Sequence, residues 1–410
     1  MRIIYLHQYF NTPKMEGGTR SYEMARRLVA NGHEVHIITS DRKPSTSKSW
    51  YNSKEEGINV HWLPLPYSNS MSNAARVRAF AKFVGLSFRK ALEVPGDLVF
   101  ASSTPLTIAL PAIWAARKRK LPVVFEVRDL WPELPIAVGA IKNSAAIFCA
   151  RWLENFAYMN SEHIVALSPG MQEGIIATGY PAERVTVIPN CCDIEMFSPA
   201  KLESNPPLDL SWLAGRPLVV YAGTMGFING VDYLARLAEA VLPLDPGIRF
   251  LIVGSGKMKK KVVAVATKSG VLGENFFMLD GVPKEQVPTL LSAATIASSL
   301  FVDLEPMWSN SANKFFDALA ASKPIMINYR GWQAELIEEH GAGIVLPIND
   351  ISSAAKTLVK RIRNKDWLRN AGEAAATLAN NKFARNNLAE DLEHILLKVH
   401  NDWREGNRFR

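Results

Sequence analysis

Lys314 and Asp317 stand three residues apart, a spacing that sets an ammonium and a carboxylate on one face of a helix. They belong to the run Ser309-Asn310-Ser311-Ala312-Asn313-Lys314-Phe315-Phe316-Asp317. Serine and asparagine are favourable N-caps, so the run predicts a helix from about Ser311 to Ala321. The free amides and positive dipole end at its start favour a phosphate, and Lys314 adds a full charge one turn in. Asp317 can accept two hydroxyl hydrogen bonds, as a ribose offers. A capped helix with an ordinary surface Lys–Asp pair accounts for the same letters without a ligand.

Gly17-Gly18 follows the first apolar run and precedes a helical pattern, which lets the backbone approach an anion at a helix start. A tight strand-to-helix turn is the plain alternative. Gly254-Ser255-Gly256 lacks the third glycine of the dinucleotide fingerprint and reads as a turn. Asp129, just past the run FEV, is the carboxylate of the first half best placed for a ligand, with Glu126, Arg128 and Glu133 beside it. A helix cap or a partner for Arg128 is its structural reading. His7 ends the first apolar run and either faces the same ligand or is a satisfied polar group. There is no Asp-x-Asp, and the eight histidines form no ligand-spaced set, so no metal site is expected.

These residues need a frame, and the chain alternates strand patterns with helical ones. RIIYL, EVHIIT, INVHWLP, DLVFAS, PVVFEV, HIVALS and VTVIPN read as strands of the first half. PLVVYAG, RFLIVGSG, NFFMLD, ATIASSL and KPIMINY repeat the pattern after a proline-rich, polar stretch. The expectation is an α/β chain of two doubly wound, Rossmann-like domains: 1–200, a linker at 201–216, and 217–385, with a final helix in 386–410 crossing back to the first domain. Parallel sheets bind ligands beyond the carboxyl ends of their strands. Loops 7–20, 126–133, 223–230, 254–257, 281–284 and 305–317 would then face one cleft, with Gly254 and Val282 among the lining residues.

At 410 residues the chain exceeds one ordinary core. Its 48% hydrophobic and 21% charged residues exclude a disordered or fibrous protein. Cys149, Cys191 and Cys192 make no disulfide framework, which suits a reducing cytoplasm. No run of 18 apolar residues occurs, and MRIIYLHQYF reads as a first strand rather than a signal peptide, so a soluble protein is expected.

The net charge is +8, and most of it is local. Between Arg76 and Lys120 nine basic residues (Arg76, Arg78, Lys82, Arg89, Lys90, Arg117, Lys118, Arg119 and Lys120) face two acidic ones, an excess of +7. Such a cluster attracts polyanions. In RVRAFAKFVGLSFRKALEV, Phe80, Phe83, Val84 and Phe88 accompany the basic side chains, which suits a helix lying on an anionic membrane surface. A buried helix with a solvated basic edge is the alternative. No RNA or DNA motif accompanies the charge, so nucleic acid is not expected as a partner.

The chain resembles a known family along nearly its whole length. SPGMQEGIIATGYPAERVTVIPNCCDIEMFSP (168–199), GTMGFINGVDYL (223–234) and the stretch 317–324 are similar to the GT-B glycosyltransferases of family 4. FEVRDLWPE (125–133) and SNSANKFFDALAASKP (309–324) resemble the bacterial subgroup that builds O-antigen and capsule repeats, similar to the N-acetyl-L-fucosaminyl transferases. The family's paired glutamates fall on Ser309 and Asp317, so only the second keeps a carboxylate. Its diphosphate-clamping Arg and Lys fall near Thr224 and Asn229, which are uncharged.

The resemblance implies a retaining, metal-independent transferase with no cofactor. The expected donor is a UDP-linked nucleotide-sugar and the expected acceptor a polyprenyl-diphosphate-linked saccharide at the inner face of the cytoplasmic membrane. Lys314, the helix start after Asn310 and the amides of Thr224, Met225 and Gly226 then take over the phosphate, with Gly17, Gly18, Ser309, Ser311 and Asn313 around the donor. Asp129 and His7 are expected to meet sugar or acceptor, and Arg76, Arg78, Lys82, Arg89, Lys90, Arg117 and Lys118 the membrane. A nucleotide-sugar isomerase of the same fold, such as a UDP-GlcNAc 2-epimerase, is the rival within the fold, and a nucleic-acid-binding protein the rival outside it.

Overall fold

The computed structural model describes residues 1–43, 49–67, 71–198 and 210–407. Short runs such as RIIYL, LVFAS and VVFEV are apolar on both sides, so they are stable only in a sheet covered on both faces. They form β1 (Arg2–Leu6), β5 (Leu98–Ser102) and β6 (Val123–Val127). With β2 (Glu34–Asp41), β3 (Tyr51–Glu55), β4 (Ile58–Pro64), β7 (His163–Ala166) and β8 (Val185–Val187) they build an eight-stranded sheet ordered β3-β4-β2-β1-β5-β6-β7-β8. Only the hairpin β3–β4 is antiparallel, and β3 is the polar edge of the sheet. The order reverses beside β1, where β2 lies on one side and β5 on the other.

The second sheet holds β9 (Leu218–Ala222), β10 (Arg249–Val253), β11 (Phe276–Leu279), β12 (Ile296–Ser299), β13 (Ile325–Ile327) and β14 (Gly343–Val345). It is parallel throughout, ordered β11-β10-β9-β12-β13-β14, and reverses beside β9. Parallel strands need crossover helices. In the first half these are α1 (Arg20–Ala30), α2 (Asn73–Glu93), α3 (Ala109–Arg119), α4 (Glu133–Ala137), α5 (Ser144–Met159) and α6 (Pro169–Ala177). In the second they are α7 (Asp232–Val241), α8 (Lys259–Lys268), α9 (Val287–Ser292), α10 (Asn313–Ala320), α11 (Trp332–His340), α12 (Ile351–Arg363) and α13 (Lys365–Asn381), and α14 (Arg385–Arg404) follows.

Two compact units result. One comprises Met1–Thr12, Thr19–Pro189 and Asn386–Arg410, the other Pro13–Gly18 and Asn190–Arg385. Each has its own core, around Ile4, Val99 and Phe125 in the first and around Val219, Tyr221 and Phe250 in the second. The division therefore falls before residue 200. The Asn190 amide donates to Ser311 Oγ at 3.0 Å, Cys192 bridges to Ala384, and Arg385 is ion-paired with Asp193, so residues 190–198 are held by the second unit. Most of the expected linker, 201–216, lies outside the described residues; its described end folds into a turn at Ser211–Leu213, with the Trp212 ring 4.3 Å from that of Phe277. Among the described residues no helix is long and apolar enough to cross a membrane.

Candidate functional site

In the second unit four loops converge on the start of α10. The first element is close backbone approach. A β-carbon at Gly223, whose φ is +150°, would stand 3.1 Å from Lys314 Cε, so the lysine stem lies close along the end of β9, at a backbone conformation that favours glycine. Its ammonium reaches over the Tyr221 ring, 5.3 Å from the centroid. Burial lowers the Lys314 pKa to about 8, with Asp317 opposing the shift.

Asp317 is not the partner of Lys314. Its Oδ1 accepts from Lys284 Nζ at 2.5 Å, and both side chains are largely buried. The spacing of three put Lys314 and Asp317 on one helix, but α10 turns the carboxylate toward the loop after β11. Lys284 was not singled out in the sequence. It sits within the 281–284 loop, but only the fold brings it 33 positions along the chain to Asp317. Val282, in the same loop, is half-buried.

The helix start also differs from expectation. It begins at Asn313, its N-cap is Ala312, and no side chain caps it. Ser311 is buried and accepts the Asn190 amide through Oγ and the Asn190 side-chain amide through its carbonyl, at 3.0 and 2.5 Å. Ser309 ends a 3-10 turn, and the Asn310 carbonyl accepts from Trp332 Nε1 at 3.0 Å. These residues shape the approach to α10, whose start has no side-chain cap, although the Phe315 amide already donates to the Ala312 carbonyl at 3.0 Å. The Pro13–Gly18 loop belongs to this unit, and a β-carbon at Gly18 would meet Asn313 Nδ2 at 2.8 Å. Gly17 takes φ +115° beside it.

Two of the three Thr224–Gly226 amides, expected to cradle a phosphate, are engaged within the protein. Met225 N donates to Ser255 O at 2.7 Å and Gly226 N to Asn229 Oδ1 at 3.0 Å, while the Met225 side chain is fully buried in the core. Thr224 offers its carbonyl to Tyr221 Oη at 2.7 Å. Gly254 is a packing glycine: its φ is +155°, and a β-carbon there would sit 2.0 Å from Gly223 O. What remains for an anion is two ammonium groups against one carboxylate, set at an open helix N-terminus. Such a set can hold a diphosphate, with the free oxygen of Asp317 left for hydroxyl groups.

The first unit carries its own polar group at the ends of β1 and β6. His7 is 5% exposed, its Nε2 lies 3.3 Å from Arg128 Nη1, and its Nδ1 has no hydrogen-bond partner among the described residues. Burial, then Arg128 and Arg42, holds His7 well below the ordinary imidazole range, so it is neutral. Asp129 is neither a helix cap nor ion-paired with Arg128. It accepts from Thr104 Oγ1 at 3.1 Å, and burial raises its pKa against Arg128 and Thr104. Glu126 is structural: its carboxylate is fully buried, pairs with Arg20 Nε at 2.9 Å and accepts from Ser102 at 2.5 Å. Glu133 pairs at the surface with Arg151 at 2.9 Å.

The basic segment is half as expected. Arg78, Lys82, Arg89 and Lys118 are exposed. Arg76 Nε donates to Tyr67 Oη at 3.1 Å, Lys90 pairs with Glu93 at 2.6 Å, and Arg117 lies over Phe156 at 5.7 Å. The apolar side of α2, however, faces inward. Phe83 is fully buried, Phe80 stacks on Tyr67, and Phe88 meets Trp114 edge-on, because α2 packs along α3.

Two doubly wound, mainly parallel sheets, one with Lys284, Lys314 and Asp317 gathered beyond its carboxyl ends, define a GT-B type of protein. Residues 17–191 match the glycosyl transferase 4-like domain and residues 210–378 the glycosyl transferases group 1 domain, so the chain belongs to this family of glycosyltransferases. It is 24% identical over 298 residues to WcaI of Escherichia coli K12, named as a colanic acid biosynthesis glycosyl transferase, covering 68% of this chain and 72% of that one. It is 23% identical over 228 residues to an Escherichia coli UDP-Gal:alpha-D-GlcNAc-diphosphoundecaprenol alpha-1,3-galactosyltransferase, covering 55% and 57%. The fold matches that of Anabaena HepE in complex with UDP-glucose, with a TM-score of 0.71 over 97% of this chain and all of that one, at 18% identity.

Proposed function

We propose that the protein moves an N-acetylated amino sugar from a UDP-sugar to a lipid-linked saccharide, with retention of configuration and without a metal ion, in the assembly of a bacterial surface polysaccharide such as O-antigen or capsule. The observation that carries this reading is the pairing of Lys314 over Tyr221 with the Lys284–Asp317 ion pair at the open start of α10. Lys314 and the helix amides stabilise the charge that grows on the leaving diphosphate. Lys284 anchors Asp317 through Oδ1, which leaves the other carboxylate oxygen to accept the ribose hydroxyls. The bond from the anomeric carbon to phosphate breaks as the bond to the acceptor oxygen forms, and the departing phosphate takes the acceptor proton. Asp129 orients the acceptor or the sugar from the first unit. The relatives lend support: one is named for colanic acid biosynthesis and one for an undecaprenol-diphosphate acceptor.

The test is to incubate the protein and EDTA with UDP-N-acetylhexosamines and an undecaprenyl-diphosphate-linked GlcNAc, following product by mass spectrometry and its anomeric linkage by NMR. An acceptor-dependent α-linked product is expected. Sugar interconversion without acceptor would replace this reading with an isomerase, and loss of turnover in EDTA would remove its metal-independence.

A further inference from the structure

The apolar side of α2 is buried, yet the first unit still presents an apolar stripe to solvent on α5. Phe148 is 72% exposed, Trp152 55% and Met159 38%, and with Phe156 they recur every three or four residues along one side of the helix. Trp152 and Phe156 stack at 5.4 Å, so the stripe is a continuous surface. It extends onto α3, where Arg117 lies over Phe156 and, one turn earlier, Trp114 is 42% exposed. Exposed aromatic side chains collected in this way mark an interaction surface.

Its flanks are basic. Lys142, Arg151, Arg117, Lys118 and Lys120 are exposed around it. Of the nearby acids, Glu133 is paired with Arg151, and Glu154 is buried, accepting a hydrogen bond from Tyr158 at 3.2 Å. At the Met159 end a pocket of about 350 Å³ opens, with Arg117, Lys120, Asn160, Glu162 and Trp403 at its walls. Because β6 and β7 are parallel, α5 between them runs from the carboxyl ends of the strands back to their amino ends. Phe148 therefore lies toward the end of the sheet that holds His7 and Asp129.

We propose that this face docks on an anionic phospholipid bilayer. Phe148, Trp152 and Trp114 enter the interfacial zone, while Arg117, Lys118 and Lys142 meet headgroup phosphates. Charge selects this occupant: a second copy would bring the same basic rim against itself, whereas a phosphatidylglycerol surface neutralises it. The lipid-linked acceptor proposed above gives the docking its purpose and rests on that reading, but vesicle binding is measurable without any acceptor.

Cys149 neighbours Phe148 and is the exposed cysteine, Cys191 and Cys192 being buried, so a nitroxide can be placed there on the full chain. With phosphatidylglycerol–phosphatidylcholine vesicles the label gains collisions with oxygen and loses them with a polar nickel chelate. Replacing Phe148→Ser with Trp152→Ser lowers vesicle partitioning about tenfold or more, at unchanged circular dichroism and UDP-induced thermal shift. Arg117→Glu with Lys118→Glu lowers it most at low salt. Wild-type partitioning by the Phe148→Ser/Trp152→Ser protein, or a label that ignores vesicles, overturns the proposal. So does a wild-type dimer that the same pair of changes dissolves, since the stripe is then a protein interface. If vesicle binding depends on the stripe while no acceptor is ever glycosylated, the functional reading fails and the docking stands.

Discussion

Lys314 shows how little a residue's type says about its behaviour. A solvated lysine holds its charge far into the alkaline range, but burial over Tyr221 brings this one to about 8. Below that pH the ammonium is present and attracts a diphosphate; above it the charge is lost. UDP affinity is therefore predicted to fall as pH rises from 7 to 9, and Lys314→Met to bind UDP weakly with the alkaline fall removed. Isothermal titration across that range checks this, and a flat wild-type profile would refute it. Lys284 makes a second prediction. Lys284→Met leaves the buried Asp317 carboxylate without its ion-pair partner. Donor KM then rises about tenfold, with a smaller change in kcat. An unchanged donor KM with a lowered melting temperature would assign Lys284 to packing instead.

At the level of elements, the site depends on how closely backbones approach. Gly254 and Gly223 touch where β10 and β9 end, and Gly254→Ala forces a β-carbon into the Gly223 carbonyl at a φ that L-residues avoid. That substitution is predicted to cost about 2 kcal/mol or more and to lower the melting temperature. In the first unit α1 is tied to β6 and to the turn after β8 by one side chain. Arg20 pairs with Glu126 and donates to the Ile188 and Pro189 carbonyls. Glu126→Gln would leave a buried guanidinium short of its counter-charge, at a cost of about 3–5 kcal/mol. A chemical denaturation midpoint equal to wild type would show that the pair contributes nothing. Strand and helix periodicity were readable from the letters, because burial on both faces requires unbroken apolar runs. The N-cap was not legible in the letters: Ser311 has the right chemistry, but its hydroxyl accepts from the Asn190 amide and Ala312 takes the cap position.

The whole molecule is two cores rather than one, and the residues proposed to hold the nucleotide collect in the second. Bound UDP should therefore slow amide exchange in 223–226, 281–284 and 313–320 while leaving β5 and β6 unchanged. Hydrogen-exchange mass spectrometry with and without UDP tests this, and protection confined to the first unit would move the donor site there. The first unit's distinguishing feature is its surface, with basic side chains beside exposed Phe148 and Trp152.

The cationic, two-domain α/β character of the chain and the chemical capacity of Lys314 and Asp317 were determined by the sequence alone. Both follow from local rules, since side-chain period sets the element and side-chain type sets the proton and charge inventory. Only tertiary structure decided that Asp317 answers to Lys284, that residues 13–18 and 190–198 belong with the second unit, and that the exposed apolar face is on α5 rather than α2. These depend on which distant segments share a surface. An amphipathic helix announces that it has an apolar side, while packing decides whether that side meets its neighbours or the solvent.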